Sequence, residues 1–179
     1  CSDEAYFSWE KMDYELVNSG TYNQSTTGVR GEWTPKFNPW SKYYIAINQA
    51  TIFINHIDEC QELTADERAV MKAEARFLRA YYYFNLFKQY GPIYLWYETV
   101  DRNTVEECVN FIEKEMYDAA EILPKTIQDP TTWMGRITKG TALGMRSRVL
   151  LFAARPLFNG GGNIGYGKSL VNNEGKQIF

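Results

Sequence analysis

From Trp40 onward, Tyr43, Tyr44, Ile47, Thr51, Ile54 and Ile57 recur at intervals of three and four, a spacing that predicts a helix over about 39–58. Pro39 suits its first turn, where a missing N–H costs nothing. A second helix is expected over about 64–90. Thr64 and Glu67 form a capping-box pattern at its start, and Gly91-Pro92 ends it. This helix carries two apolar stripes. One is Val70, Ala73, Phe77, Ala80, Phe84 and Phe87; the other is Ala75, Leu78, Tyr82 and Leu86. Two stripes predict contact on two sides. The run Tyr81-Tyr82-Tyr83-Phe84 then divides, with Tyr81 and Phe84 on the first stripe, Tyr82 on the second, and Tyr83 beside Arg76 and Arg79.

Thr104 and Glu107 repeat the capping-box pattern, opening a third helix over about 104–123. Its Val105, Val109, Ile112, Met116 and Ala119 share a face, and Pro124 stops it. A fourth is expected over about 138–158, with Ala142, Met145, Val149 and Phe152 on one face and Leu143, Leu150, Ala154 and Leu157 on another. Residues 1–17 form a weaker amphipathic segment. Residues 18–38 and 159–179 read as loops rich in glycine and small polar residues, residues 91–99 as extended, and "KTIQDPTTWMGR" as a polar loop. No segment alternates as a strand would, so the fold class is all-α. Consecutive long helices joined by turns suggest antiparallel hairpins stacked as in helical-repeat proteins. The pairs begin near residues 39 and 104, too far apart for a regular array of tetratricopeptide units of roughly 34 residues.

The 179 residues suffice for one domain, and its 16% aromatic content stands out against an ordinary 23% of charged residues. Rings in that number suit either thick helix packing or a ring-rich binding surface. A net charge of -3 offers no basic footprint for nucleic acid. No apolar run reaches bilayer-spanning length, and residues 1–20 lack signal-peptide character, so a signal, if the protein is exported, is expected outside this chain. Cys1, Cys60 and Cys108 have no metal-type spacing; Cys60 and Cys108 read as small buried or half-buried hydrophobes.

Catalytic chemistry finds little support. His56 is the only histidine and lies near a helix end, where a surface or capping role suits it better than a triad or a metal site. The acids Asp3/Glu4, Asp58/Glu59 and Glu106/Glu107 are sequence neighbours, whereas glycoside hydrolysis needs two carboxyls held across one bond. Gly160, Gly161 and Gly162 are followed by no P-loop lysine. No cofactor is expected. Non-covalent binding remains. A sugar ring stacks its C–H face on Trp or Tyr and needs amides or guanidinium at its edge, and the loop 18–38 offers Tyr22, Asn23, Gln24, Arg30, Trp33 and Asn38. Equally, Trp33 and Phe37 could only anchor that loop to the core.

"KAEARFLRAYYYFNLFKQYGPIYL", residues 72–95, strongly resembles the signature helix of the SusD/RagB family of outer-membrane nutrient-binding lipoproteins. Three other blocks follow the family's order: "SDEA" at 2–5, "WSKYYIAINQATIFINHID" at 40–58 and "GRITKGTALGMRSRVLLFAA" at 135–154. The resemblance implies a SusD-like scaffold with tetratricopeptide-like helix pairs and long connecting loops, here a single partial domain over 1–179. It also implies a cell-surface, non-enzymatic protein that binds oligosaccharides, or peptides as in RagB-like members, and passes them to a SusC-like TonB-dependent transporter. Membrane attachment by a lipid anchor of the full-length protein is implied too; the family's anchor cysteine normally lies well upstream of the Asp-Glu-Ala segment, so Cys1 reads as an internal residue. Family proteins are much longer, and this chain resembles their N-terminal-middle third. Two departures are Tyr94, at the usual proline position, and Trp96 after it. Ligand residues of the family tend to follow the Asp-Glu-Ala segment, which makes Trp33 and Arg30, then Tyr22, Asn23 and Trp9, the candidates here. A helical-repeat protein-interaction scaffold without a glycan ligand is the alternative.

Overall fold

The structure is a computed structural model that describes residues 20, 40–95, 101–159, 169–173 and 175–179. The chain divides into two compact units, Cys1–Lys42 and Tyr43–Phe179. In the first, Gly20 has a φ of 68° and residues 40–42 begin a helix. The rest of the description concerns the second unit, which holds α1 (Trp40–His56) from Tyr43 on, a 3-10 turn Ile57–Glu59, α2 Ala65–Tyr90, α3 Val105–Ile122, α4 Pro130–Trp133 and α5 Lys139–Ala153. Among the described residues the only β pairing is the isolated bridge between Val171 and Gln177.

Both predicted capping boxes form. The Thr64 hydroxyl accepts from the Glu67 amide while the Glu67 carboxylate accepts from the Thr64 amide at 2.9 Å, and Thr104 and Glu107 do the same. α2 and α3 are antiparallel, since Arg76 meets Asp118, Arg79 meets Glu115 and Tyr83 meets Phe111. α5 returns along α3, with Lys139 bonded to Glu121 and Arg146 to Glu113. α1 lies antiparallel to α2 but reaches it through long side chains: Tyr43 on Tyr82 at 5.8 Å, Tyr44 on Tyr83 at 6.4 Å, and Thr51 on Arg79. These successive antiparallel pairs give the all-α scaffold expected.

The core lies between α2, α3 and α5, where Phe84, Phe87, Ile112, Met116 and Val149 are fully buried. Each such side chain contributes about 1.5–3 kcal/mol. Phe152 of α5 places its ring edge against Phe84, and Phe158 stacks on Phe87 at 4.9 Å. Cys108 is buried, its thiol pushed up to about 12 by loss of solvent, and Cys60 is half-buried; both are free, as the small-hydrophobe reading expects.

Three expectations need correction. α5 ends at Ala153 instead of about 158 because Pro156 lacks an N–H and disfavours helix at Arg155; residues 154–159 turn instead. Tyr81 does not join the first stripe. Its ring lies along the helix against Phe77, one turn back, and 36% of the residue is exposed. Tyr83 is 5% exposed, because the side of α2 bearing Arg76, Arg79 and Tyr83 packs on α3. Its hydroxyl donates to the Leu95 carbonyl at 2.5 Å, and burial pushes its pKa up to about 12. α2 is therefore covered on three sides.

Of the segment 91–99 that reads as extended, residues 91–95 are described: they form no helix and bend at Gly91, Pro92 and Leu95, with Pro92, Ile93 and Leu95 buried and the Tyr94 carbonyl accepting from the Tyr44 hydroxyl at 2.8 Å. The tail of the 159–179 loop is more than a loop. It turns back on itself through the Val171–Gln177 bridge and docks on the start of α3. There the Val105 amide donates to the Ile178 carbonyl at 2.9 Å, Lys176 pairs with Glu107, and Phe179 stacks on Phe158.

Candidate functional site

One face of α1 presents Ala46, Gln49, Ala50 and Phe53, at i, i+3, i+4 and i+7. The opposing face of α2 presents Met71, Glu74, Ala75, Leu78 and Tyr82. Alanines at 46, 50 and 75 are too short to meet across the space that the tyrosine contacts further along hold open. A cleft of about 520 Å³ remains, in the size range of small-molecule sites. Its walls are mostly apolar.

One edge of the cleft is lined from α4 and the residues after it, by Trp133 and Arg136. Asp129 caps this single turn by accepting from the Thr131 and Thr132 amides, and Pro130 fits the first position. The Asp129 carboxyl is held down at about 2 by the Thr132 and Thr131 groups that bond to it. Trp133, at the end of the turn, is 47% exposed at the edge of the cleft. Gly135 then takes a φ of 93°, a conformation other residues rarely adopt, and the reversal sends Arg136 back to α2. Arg136 Nε donates to Glu74 Oε1 at 2.8 Å and Nη2 to Oε2, a two-point pair. The Glu74 carboxylate holds the guanidinium above its ordinary value. The same guanidinium lies 4.7 Å from the centre of the Trp133 ring, a cation–ring contact between two residues that both line the cleft.

A second polar cluster is structural. Glu115 accepts from Arg76 at 2.6 Å and from Arg79 at 2.5 Å; Arg76 also meets Asp118, and Arg79 meets Thr51. No buried side-chain nitrogen or oxygen among the described residues lacks a partner. Such a saturated network ties α1, α2 and α3 together and leaves no group aimed at a ligand. His56 is exposed at the end of α1 with its ring 3.3 Å from the Glu59 carboxylate, the surface position expected of it.

The candidates from the sequence, Trp9, Tyr22, Asn23, Arg30 and Trp33, lie outside the described residues, as do Cys1, Trp96 and Gly160 to Gly162. The cleft was not foreseen. Leu78 and Tyr82 belong to a stripe that reads as buried, and Trp133 to a loop that reads as polar. The signal available was a tryptophan three residues before the arginine of "GRITKG".

Among known proteins, residues 3–151 match the SusD-like family, described as starch-binding and associating with the outer membrane. A SusD-like protein of Bacteroides ovatus (strain ATCC 8483) is 30% identical over 171 residues, which cover 90% of this chain and 28% of that protein. A solved SusD-like protein of Bacteroides fragilis NCTC 9343 aligns with a TM-score of 0.58 at 30% identity, over 63% of this chain and 23% of that one. A solved laminarin-binding SusD-like protein aligns with a TM-score of 0.57 at 25% identity, over 63% of this chain and 26% of that one. The chain thus spans 28% of the length of the curated relative it matches.

Proposed function

The chain belongs to the SusD-like family, associated with the outer membrane, and from that premise we propose that this protein captures oligosaccharides at the cell surface and delivers them to a SusC-like TonB-dependent transporter. The observation that carries the reading is the family match over residues 3–151. The laminarin-binding neighbour at 25% identity supports a carbohydrate as the ligand. In this reading the protein binds and hands over its ligand without bond-making chemistry, and a lipid anchor holds it to the membrane.

For the principal site we propose the loop residues Trp33 and Arg30, with Tyr22, Asn23 and Trp9 around them. An indole face takes the C–H face of a pyranose, and guanidinium and amide groups bond the hydroxyls at its edge. In the full-length protein, Trp33→Ala weakens oligosaccharide binding about tenfold, the effect of losing one ring stack, and leaves the far-ultraviolet circular dichroism unchanged. Unchanged affinity removes this site. Capture of peptides by the full-length protein, with no response to any saccharide, favours the RagB-like peptide-binding reading or a protein-interaction scaffold instead.

A further inference from the structure

We propose that the cleft between α1, α2 and α4 is a second saccharide subsite, separate from the loop residues above, with Trp133 as its stacking platform and Gln49, Glu74 and Arg136 as its hydroxyl partners. The inference rests on the reading of the protein as an oligosaccharide binder.

Three observations point to a neutral ligand that is apolar on one side and hydroxyl-bearing on the other. First, the charges balance: Glu74 and Arg136 neutralise one another through their two-point pair, so the cleft attracts neither an anion nor a cation. Second, the polar groups keep bonding capacity. Arg136 commits two of its five N–H groups to Glu74, each Glu74 oxygen retains an acceptor site, and the exposed Gln49 amide has no partner among the described residues. Third, the rings are set before any ligand arrives. Arg136 lies over Trp133, the Asp129 cap fixes the turn that carries it, and Tyr82 is held against Tyr43. A wholly apolar ligand would strand the polar groups at the rim, whereas a pyranose satisfies both walls. Because one wall carries a pre-paired guanidinium and carboxylate, adjacent ring hydroxyls can be met by a donor and an acceptor side by side.

The test is titration calorimetry on the full-length protein with maltoheptaose, laminarihexaose and a xyloglucan heptasaccharide. Four forms are compared: the parent, Trp33→Ala, Trp133→Ala and Trp133→Phe. Trp133 sits exposed on a single turn, so its removal leaves the helix core in place. With a saccharide that binds the parent, the expected result is two classes of site. One is lost in Trp33→Ala; the other weakens about fivefold to tenfold in Trp133→Ala and is largely restored in Trp133→Phe. Gln49→Ala weakens the same class. A parent isotherm reproduced by Trp133→Ala, with binding intact, overturns the cleft subsite and spares the oligosaccharide reading. No binding by the parent to any of the three probes overturns the cleft subsite as proposed for them, and a glycan array flat across all classes overturns the oligosaccharide reading as well.

Discussion

Glu115 is the one charged side chain among the described residues that folding buries, at 6% exposure, and it is held by two arginines that lie one turn apart on α2. Taking a carboxylate out of water is costly unless its partners are close and well aimed, and removing one member of such a cluster strands the others. Glu115→Gln keeps the shape and removes the charge that both guanidiniums face. It is expected to cost about 3–5 kcal/mol, read as a lower urea midpoint with the slope unchanged. A shift within about 0.5 kcal/mol would mean that the cluster is incidental. The Arg-x-x-Arg spacing of Arg76 and Arg79 is visible in the sequence, but its partner is not. Glu115 sits among five other acids of α3, and only the antiparallel register of α2 and α3 selects it. The same holds for Tyr83, whose hydroxyl finds a backbone carbonyl twelve residues on, in a segment without periodicity.

At the scale of elements, what is written locally was readable. Capping boxes involve four consecutive residues and helical stripes repeat within a turn, so the starts of α2 and α3 and the bounds of α1, α2 and α3 follow from the chain itself. The end of α5 follows from Pro156 only once its effect on Arg155 is weighed against the apolar residues that continue past it. The docking of the tail on α3 could not be read, because it depends on contacts some 70 residues apart. Two consequences of that docking can be measured. Gly91 has a φ of 67°, and a Cβ added there would stand 3.2 Å from Phe179 Cζ. Gly91→Ala is therefore expected to destabilise by about 1–3 kcal/mol through backbone strain and contact with that ring; thermal unfolding checks it, and an unchanged midpoint would contradict both the strain and the contact.

The second consequence depends on pH. Lys176, and then the Thr104 amide, hold the Glu107 carboxyl down at about 2 against an ordinary 4.5. A carboxyl depressed by folding contributes its stabilisation fully above about 4.5 and loses it as pH falls through about 2. The protection of the Val105 amide, which donates to Ile178, taken relative to its intrinsic exchange rate at each pH, is expected to fall across that acid window. Glu107→Gln should flatten the dependence. A profile identical to the parent's would show that the pair with Lys176 does not hold the tail.

For the molecule as a whole, four ordered blocks of sequence carry more information than any single motif, and residues 3–151 place the chain in its family. The site is less legible. A binding surface is made by residues from separate elements, and nothing in the local spacing of Trp133 announces that α1 and α2 open beside it. The surface also carries exposed apolar side chains, among them Ile45 and Ile52 on α1 and Leu150 and Leu151 on α5, the last 74% exposed. The central claim is that this protein binds carbohydrate. Its most direct measurement is a glycan array probed with the full-length protein. Saturable binding to at least one class of oligosaccharide, reproduced in solution by titration, is the predicted result; an array flat across starch-, laminarin- and xyloglucan-type glycans and all other classes would contradict it.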